Sequence, residues 1–455
     1  MKIPYEYYTE KVDTVRIIKQ YGTVVRVAGL VVESRGPAVS IGSLCRIESP
    51  EMAAAIPAEV VGFKENIIYL MPLGSIQGIT PGSIVTSTGE KLRVPVGDDL
   101  LGRVINGLGH PIDGNGPLLS TSYRSLYADP PPSLKRQRIV DPLFTGIRAI
   151  DTMCTCGKGQ RIGIFSGSGV GKSVLMGMIA RGTSADVTVI GLVGERSREV
   201  KEFIAKDLGE EGLKRSVVVA VTSDEPALIR LKGILTATTV AEYFRDQGKD
   251  VLLLVDSLTR VAMAQREIGL AVGEPPATKG YPPSVFALLP RILERSGPGE
   301  RGSITGLYTV LVEGDDFNEP ISDAVRSVID GHVVLSRSLA SRNQYPAIDV
   351  LDSVSRLMLD VITPQHKEAS GTLKELMAVY RDAEDLINIG AYVKGSSRKI
   401  DRAIAHIDDI MQFLRQGIND RLEPEAAIAG LIELAAQAAP EAKAVSDAEK
   451  AHAAV

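Results

Sequence analysis

Cysteine is scarce. Three residues, Cys45, Cys154 and Cys156, in a chain of 455 argue against a disulfide framework and suit a reducing compartment. Cys154 and Cys156 have no second pair to complete a structural zinc site, and they read as small residues leading into a strand. Long apolar runs are missing too: none approaches the ~20 residues needed to span a bilayer. The opening stretch MKIPYEYYTEKVDTVRII is charged throughout rather than signal-like. These absences predict a protein kept in the cytoplasm. Excess positive charge is also lacking. Lys and Arg number 51 against 56 Asp and Glu, a formal net charge of −5, so no bulk basic surface for nucleic acid is indicated, while a local basic channel stays open. The short run Lys135, Arg136, Arg138 reads as a solvated linker. What is present, 44% hydrophobic and 24% charged residues, is the composition of a globular protein with core enough for two or three domains.

Residues 22–95 hold short β-branched runs, GTVVRVAGLVVESRG, SLCRIES, EVVGFKENIIYLMPL and SIVTSTGEKLRVPVG, parted by Gly, Pro and Asn turns. That spacing predicts a small β-barrel. GRVINGLGHPIDGNGPL and ADPPPSLKRQR then separate it from a different pattern. From about 150 to 340, RIGIF, VTVIGLV, SVVVAVT, VLLLV, ITGLYTVLV and HVVLS alternate with helical stretches. Nearly continuous apolar runs mark strands buried on both faces, hence an α/β fold with a parallel sheet covered by helices. From Thr363-Pro364, which can cap and start a helix, the chain turns helical. Leu373, Leu376, Met377, Tyr380, Ala383, Leu386 and Ile387, then Ile400, Ala403, Ile404, Ile407, Met411 and Leu414, recur at helical spacing. The expected division is 1–20, a barrel over 21–95, an α/β domain over 96–360, and a helical domain over 361–455 ending in a frayed Ala-rich tail. Residues 1–20 read either as a weakly amphipathic helix or as a partly disordered terminus.

The chemistry centres on RIGIFSGSGVGKSVLMGMIA, residues 161–180. A strand runs into a glycine-rich loop, Ser166, Gly167, Ser168, Gly169, Val170 and Gly171, then Lys172, Ser173, Val174 and a helix. Glycines let the backbone N–H groups approach phosphate oxygens, and the helix N-terminus adds positive potential. Lys172 is placed to reach the β- and γ-phosphates and Ser173 to hold Mg²⁺. The strict pattern asks for glycine where this chain has Ser166. A second strand ends at Gly194-Glu195-Arg196 and a third at Asp256-Ser257. In an open α/β sheet ligand chemistry gathers at the carboxyl ends of strands. Asp256 is thus the expected carboxylate for the Mg²⁺ hydration shell, and Glu195 the candidate to orient or deprotonate the attacking water. Arg196 beside it completes the candidate catalytic set. Standing alone, Glu195 would be read as a surface ion pair.

The order of this loop, GER, LLLVDS and YPAIDVLDSVSR resembles the catalytic subunits of rotary ATPases. FRDQGKDVLLLVDSLTRVAMAQREIGLAVGEPPATKGYPPSVFALLPRILERSG and INIGAYVKGSSRKID resemble more closely the ATPase of the bacterial flagellar protein-export apparatus. The likeness runs from roughly 20 to 435. It implies a RecA-like core, Mg²⁺-dependent hydrolysis of ATP and a homohexameric ring, and it tolerates a small residue at Ser166. It implies that Tyr345 stacks on the adenine and that Arg356 is an arginine finger for the neighbouring subunit, where such fingers are worth about 10³–10⁵ in rate. It implies as partners a stator-like regulatory dimer on the first 20 residues, a central stalk protein, and export chaperones and substrates. By the same likeness the protein would sit peripherally at the membrane-embedded export gate of the flagellar base, with Gln265–Pro283 as a loop facing the ring's pore. Noncatalytic rotary subunits lack the GER carboxylate. This chain has both Glu195 and Arg356, so one polypeptide can supply both halves of an interfacial site. The rivals are a virulence-type secretion ATPase with the same motifs, a hexameric nucleic-acid translocase, and a nucleotide-binding scaffold without turnover. A translocase barrel calls for stacking aromatics, and residues 22–95 offer only Phe63 and Tyr69. A scaffold would not need Glu195.

Overall fold

A computed structural model describes residues 20–119, 122–312, 316–317, 319–421 and 423–439. The expectations for the N-terminal docking segment up to residue 19 and for the tail beyond 439 fall on residues outside these.

Six strands, β1 (Tyr21–Ala28), β2 (Val31–Arg35), β3 (Ser43–Glu48), β4 (Ile56–Lys64), β5 (Ile67–Pro72) and β6 (Ile84–Lys91), close into a barrel in the order β1-β2-β5-β4-β3-β6. Val24, Val32, Cys45, Ile47, Ala58, Val60, Leu70 and Val85 point inward and fill it, the alternate positions facing out. Closure leaves no free edge. The barrel is therefore complete at Lys91, a few residues short of the boundary expected from sequence. The next strand, β7 (Arg93–Val96), pairs instead with β9 (Ser122–Ser125), because Val94 is buried in the core of the following domain.

That domain is built on a sheet ordered β16-β15-β10-β14-β13-β11-β12-β8. The strands are β8 (Val104–Ile105), β10 (Arg161–Ser166), β11 (Val187–Glu195), β12 (Ser216–Thr222), β13 (Asp250–Asp256), β14 (Ser303–Leu311), β15 (Gly331–Leu335) and β16 (Ile348–Ser355). All neighbours run parallel except β15 and β16. The continuous apolar runs split by alternation. On β13, Leu252 and Leu254 face the helix α1 (Lys172–Gly182), while Val251, Leu253 and Val255 face α2 (Ala227–Asp246), α3 (Leu258–Ala271) and α4 (Pro283–Leu293). Both faces are dry, as a parallel sheet requires.

Thr363 caps α5 (Pro364–Asn388): its hydroxyl accepts the N–H of His366 at 3.3 Å, with Pro364 at the first helical position. α5, α6 (Arg398–Leu414) and α7 (Pro424–Gln437) bury Leu373, Leu376, Ile410, Leu414 and Leu431 in the core that α1 shares. The helical domain is thus fused to the lower face of the sheet.

Two local expectations are corrected. Gln265–Ala271 is not loop but the last turns of α3. Gly269 is there for close packing: a Cβ on it would stand 2.8 Å from the Pro282 side chain. The pore-loop candidate shrinks to Val272–Pro282. Nor is the linker run wholly solvated. Lys135 and Arg138 are exposed, but the Arg136 guanidinium donates to the carbonyls of Glu294 (2.5 Å) and Ser296 (3.1 Å) and pairs with the Glu294 carboxylate.

The barrel is pinned to the core by a buried charge pair. Lys232 of α2, 1% exposed, donates to Glu59 Oε1 of β4 at 2.7 Å and to the Tyr127 hydroxyl at 2.5 Å. Lys232→Met removes the ammonium and strands the Glu59 carboxylate, so it is expected to cost about 3–5 kcal/mol, whereas Lys232→Met with Glu59→Leu returns close to the parent. Denaturant titration of both variants checks this; equal losses in both would contradict it.

Candidate functional site

The carboxyl ends of β10, β11 and β13 converge on one cavity of about 900 Å³. β10 ends at Ser166. After it Gly169 (φ 80°) and Gly171 (φ 89°) take the left-handed conformation that turns the loop back to present its amides at the start of α1. Ser166 is not in that conformation: among the described residues the left-handed non-glycines are Glu65, Lys279 and Asn343. Its side chain is buried at 1% exposure. A serine at this place therefore adds no left-handed backbone strain to the loop, and its hydroxyl is buried with no hydrogen bond among the described residues.

Lys172 opens α1 and reaches across to Asp256 Oδ1 (2.5 Å), with Glu195 Oε1 at 3.9 Å. Thr309 Oγ1 donates to the same Asp256 oxygen at 2.7 Å, which fixes the carboxylate. Ser173, in the first turn of α1, lines the cavity and is exposed to it. Glu195 is aimed inward by a break in the ladder: the β11–β12 register slips between Val193 and Glu195, and Gly194 there has φ 75°. A Cβ on Gly194 would stand 2.9 Å from that of Arg260, so glycine serves both the turn and the approach of α3. Glu195 Oε1 is buried and makes no hydrogen bond among the described residues. Burial, and then the neighbouring Asp256 carboxylate, push the Glu195 carboxyl up to about 7, with Lys172 offsetting them in part.

Of the residues singled out from sequence, Gly167, Ser168, Gly169, Gly171, Lys172, Ser173, Val174 and Glu195 line this cavity. Asp256 lies just behind, bonded to Lys172. Val170 is buried in the core beneath the loop. Arg196 lines the rim with its side chain 81% exposed and turned to Glu199 at 3.5 Å. Tyr345 stands beside the loop, its ring 3.5 Å from where a Cβ on Gly171 would be. It lines a second cavity of about 580 Å³ with Val174, Met178, Pro346 and Ile418. Arg356 joins neither. It is exposed in a separate depression with Asp323, Arg326 and His332.

Two contributions escaped sequence reading. Arg260, two residues into α3, lines the phosphate cavity with its Nε buried and unbonded among the described residues; its position four residues after Asp256 was the available signal. Arg415–Ile418, after α6, close the Tyr345 cavity, and the Gln416 N–H donates to the Tyr345 carbonyl at 3.0 Å. Nothing local in LRQGIND announces that.

Three family models match the chain: the ATP synthase alpha/beta family β-barrel domain over residues 24–89, the nucleotide-binding domain of the same family over 146–355, and the T3SS EscN ATPase C-terminal domain over 362–433. The flagellum-specific ATP synthase of Bacillus subtilis is 58% identical over 91% of this chain and 95% of that protein. The type 3 secretion system ATPase of Xanthomonas euvesicatoria is 50% identical over 89% of this chain and 91% of that protein. Among solved structures, the assembled ATPase EscN of enteropathogenic E. coli superposes with a TM-score of 0.86 at 46% identity, covering 91% of this chain and all of that one. EscN in complex with its central stalk EscO superposes at 0.84.

Proposed function

The chain belongs to the family of flagellum-specific and type III secretion ATPases, and on that footing we propose how its residues hydrolyse ATP and where the site is completed. It is an oligomeric ATPase of type III export. The observation that carries the assignment of roles is the meeting of Lys172, Glu195 and Asp256 at the mouth of one glycine loop.

In this reading the loop amides and Lys172 hold the β- and γ-phosphates, Lys172 leaving Asp256 for the nucleotide. Tyr345 stacks on the adenine. The donor set fits Mg²⁺: a hydroxyl, Ser173, and a fixed carboxylate, Asp256, both hard oxygen ligands. A bound Mg²⁺ would offset the negative charge of the phosphate oxygens. Glu195 Oε1, a buried acceptor without a donor, accepts a proton from water. The water oxygen bonds to the γ-phosphorus as its bond to the bridging oxygen breaks, and ADP departs with that electron pair. Arg260 faces the same charge. Arg196, held by Glu199 at the rim, has a weaker claim to the reacting atoms.

Arg356 completes the site from a second copy. It is exposed and remote from its own loop, and it is flanked by apolar side chains left open to solvent, Val354 and Leu359, as a surface awaiting another subunit would be. A homohexamer around a central stalk follows by analogy with the EscN assembly and its EscO complex. The Bacillus subtilis flagellum-specific relative, 58% identical against 50% for the Xanthomonas euvesicatoria secretion ATPase, supports flagellar export substrates and chaperones over virulence cargo. Among the described residues no helix is long and apolar enough to cross a membrane; work at the periphery of the export gate is part of the same proposal. The working division is a docking segment over 1–20, a barrel from 21 that closes at Lys91, the nucleotide domain to 360, and the helical domain beyond.

Two measurements test this reading. Chelating divalent cations is expected to abolish phosphate release and to leave binding of a fluorescent nucleotide measurable. Full turnover under chelation would remove Ser173 and Asp256 from their roles. The second is a pH profile. A base must be ionised, and the raised carboxyl of Glu195 is protonated below about 7. Thus kcat/KM for ATP, which reports the free enzyme, rises with pH through about 7 and then levels off. A profile flat from pH 5.5 to 8 would contradict Glu195 as the base.

A further inference from the structure

β15 separates the strand that carries the P-loop from the strand that carries Arg356. On one side it runs parallel to β10, Gly163 opposite His332 and Ser166 opposite Leu335. On the other it runs antiparallel to β16, Gly331 opposite Ser355 and His332 opposite Val354. One side chain on β15 meets both neighbours. The His332 ring stands edge-on to Phe165, centroids 5.8 Å apart and planes at 80°, and Phe165 is the residue before Ser166. The same ring lines the depression that holds Arg356 and Arg326. Its Nε2 donates to the Asp352 carbonyl at 3.1 Å, where the β15–β16 register slips between His332 and Val334. The imidazole thus braces a bulge that the ladder leaves open, just ahead of the finger.

A second tie joins the same two strands. Asp330 takes the Arg161 N–H and Nε on its carboxylate, at 3.1 and 3.0 Å, and the Arg356 N–H on its carbonyl at 3.0 Å. Arg161 opens β10 and Phe165 all but ends it, so both ends of β10 are tied to the end of β16 that leads into the finger.

From this geometry we infer that His332 is a positioning residue which holds in place the finger a subunit lends to its neighbour. The inference rests on the reading of Arg356 as a finger acting in trans. The ring, packed against Phe165 on one side and bonded to the Asp352 carbonyl on the other, fixes the bulge before Arg356. Burial, together with the Arg326 and Arg356 guanidiniums, holds the imidazole below its usual pKa, so it stays neutral beside them; Asp323 and Asp352 are the acidic groups nearby. The contact is steric and hydrogen-bonded rather than charged.

The test uses full-length chains mixed before assembly. His332→Ala alone is expected to lower kcat on the order of tenfold to a hundredfold, the cost of misplacing a catalytic group, with KM for ATP nearly unchanged. Lys172→Ala subunits have a dead site but an intact finger. Co-assembled with them, His332→Ala subunits regain turnover, since their own loops are sound and the neighbour supplies a well-held Arg356. Arg356→Ala subunits mixed with the same partner are the control. Rescue of Arg356→Ala without rescue of His332→Ala would place His332 in its own site or in the fold and overturn the inference. Failure to rescue Arg356→Ala would remove the trans finger itself, and the inference with it. If His332→Ala does not assemble by sizing, His332→Gln, which keeps a donor for Asp352 and loses the ring edge, takes its place in the same mixtures and is expected to be rescued likewise; absence of rescue there counts against the inference equally.

Discussion

Glu195→Gln is expected to reduce ATP turnover by about 10²–10⁴-fold, the range for removing a positioned general base, in a chain that still folds, assembles and binds nucleotide. The amide has the shape of the carboxylate but cannot accept the water's proton. Stability should hold or rise slightly. The Glu195 carboxyl is raised by burial and by Asp256, so its ionised form is less favourable folded than unfolded. That cost grows as pH rises through about 7, and the neutral amide avoids it. Phosphate release and a thermal melt at pH 8 check both halves. Retained turnover with an unchanged melt would leave Glu195 a mere neighbour of Lys172, 3.9 Å away.

Arg356→Ala is expected to cost about 10³–10⁵ in kcat, the worth of an arginine finger, although the residue lines no part of its own nucleotide cavity. Affinity for ATP should change little, because a finger acts on charge that develops in the transition state. The exposed side chain makes stability loss small. The Arg356 backbone N–H keeps its bond to Asp330 whatever the side chain. Normal turnover by assembled Arg356→Ala protein would show each site to be self-sufficient.

The legible part of this molecule was the part written locally. RIGIF and VLLLV announced strands buried on both faces, and Val251 to Val255 divide between two cores as their alternation requires. Thr363-Pro364 announced a helix start. Glu195 and Asp256 were found because each ends an apolar strand, and strand ends meet in a parallel sheet. What escaped was decided by contacts between distant segments. Arg136 reads as a solvated cation until the carbonyls of Glu294 and Ser296, more than 150 residues on, meet it. Gly269 reads as loop until Pro282 folds onto its helix. Arg415–Ile418 carry no chemistry of their own and join the Tyr345 cavity only because α6 packs against the nucleotide domain. Arg196 shows the converse limit. Adjacency to Glu195 suggested a role, but a residue ending a strand and the next one point different ways, and Arg196 turns out to the rim.

In the proposed site one chain carries both halves, and only two copies complete it. The most direct measurement is specific ATP turnover across a dilution series, with particle mass recorded on the same samples. Specific activity is expected to climb with the assembled fraction and to fall toward zero where single chains prevail. Single chains that hydrolyse ATP at the specific rate of the assembly would contradict it.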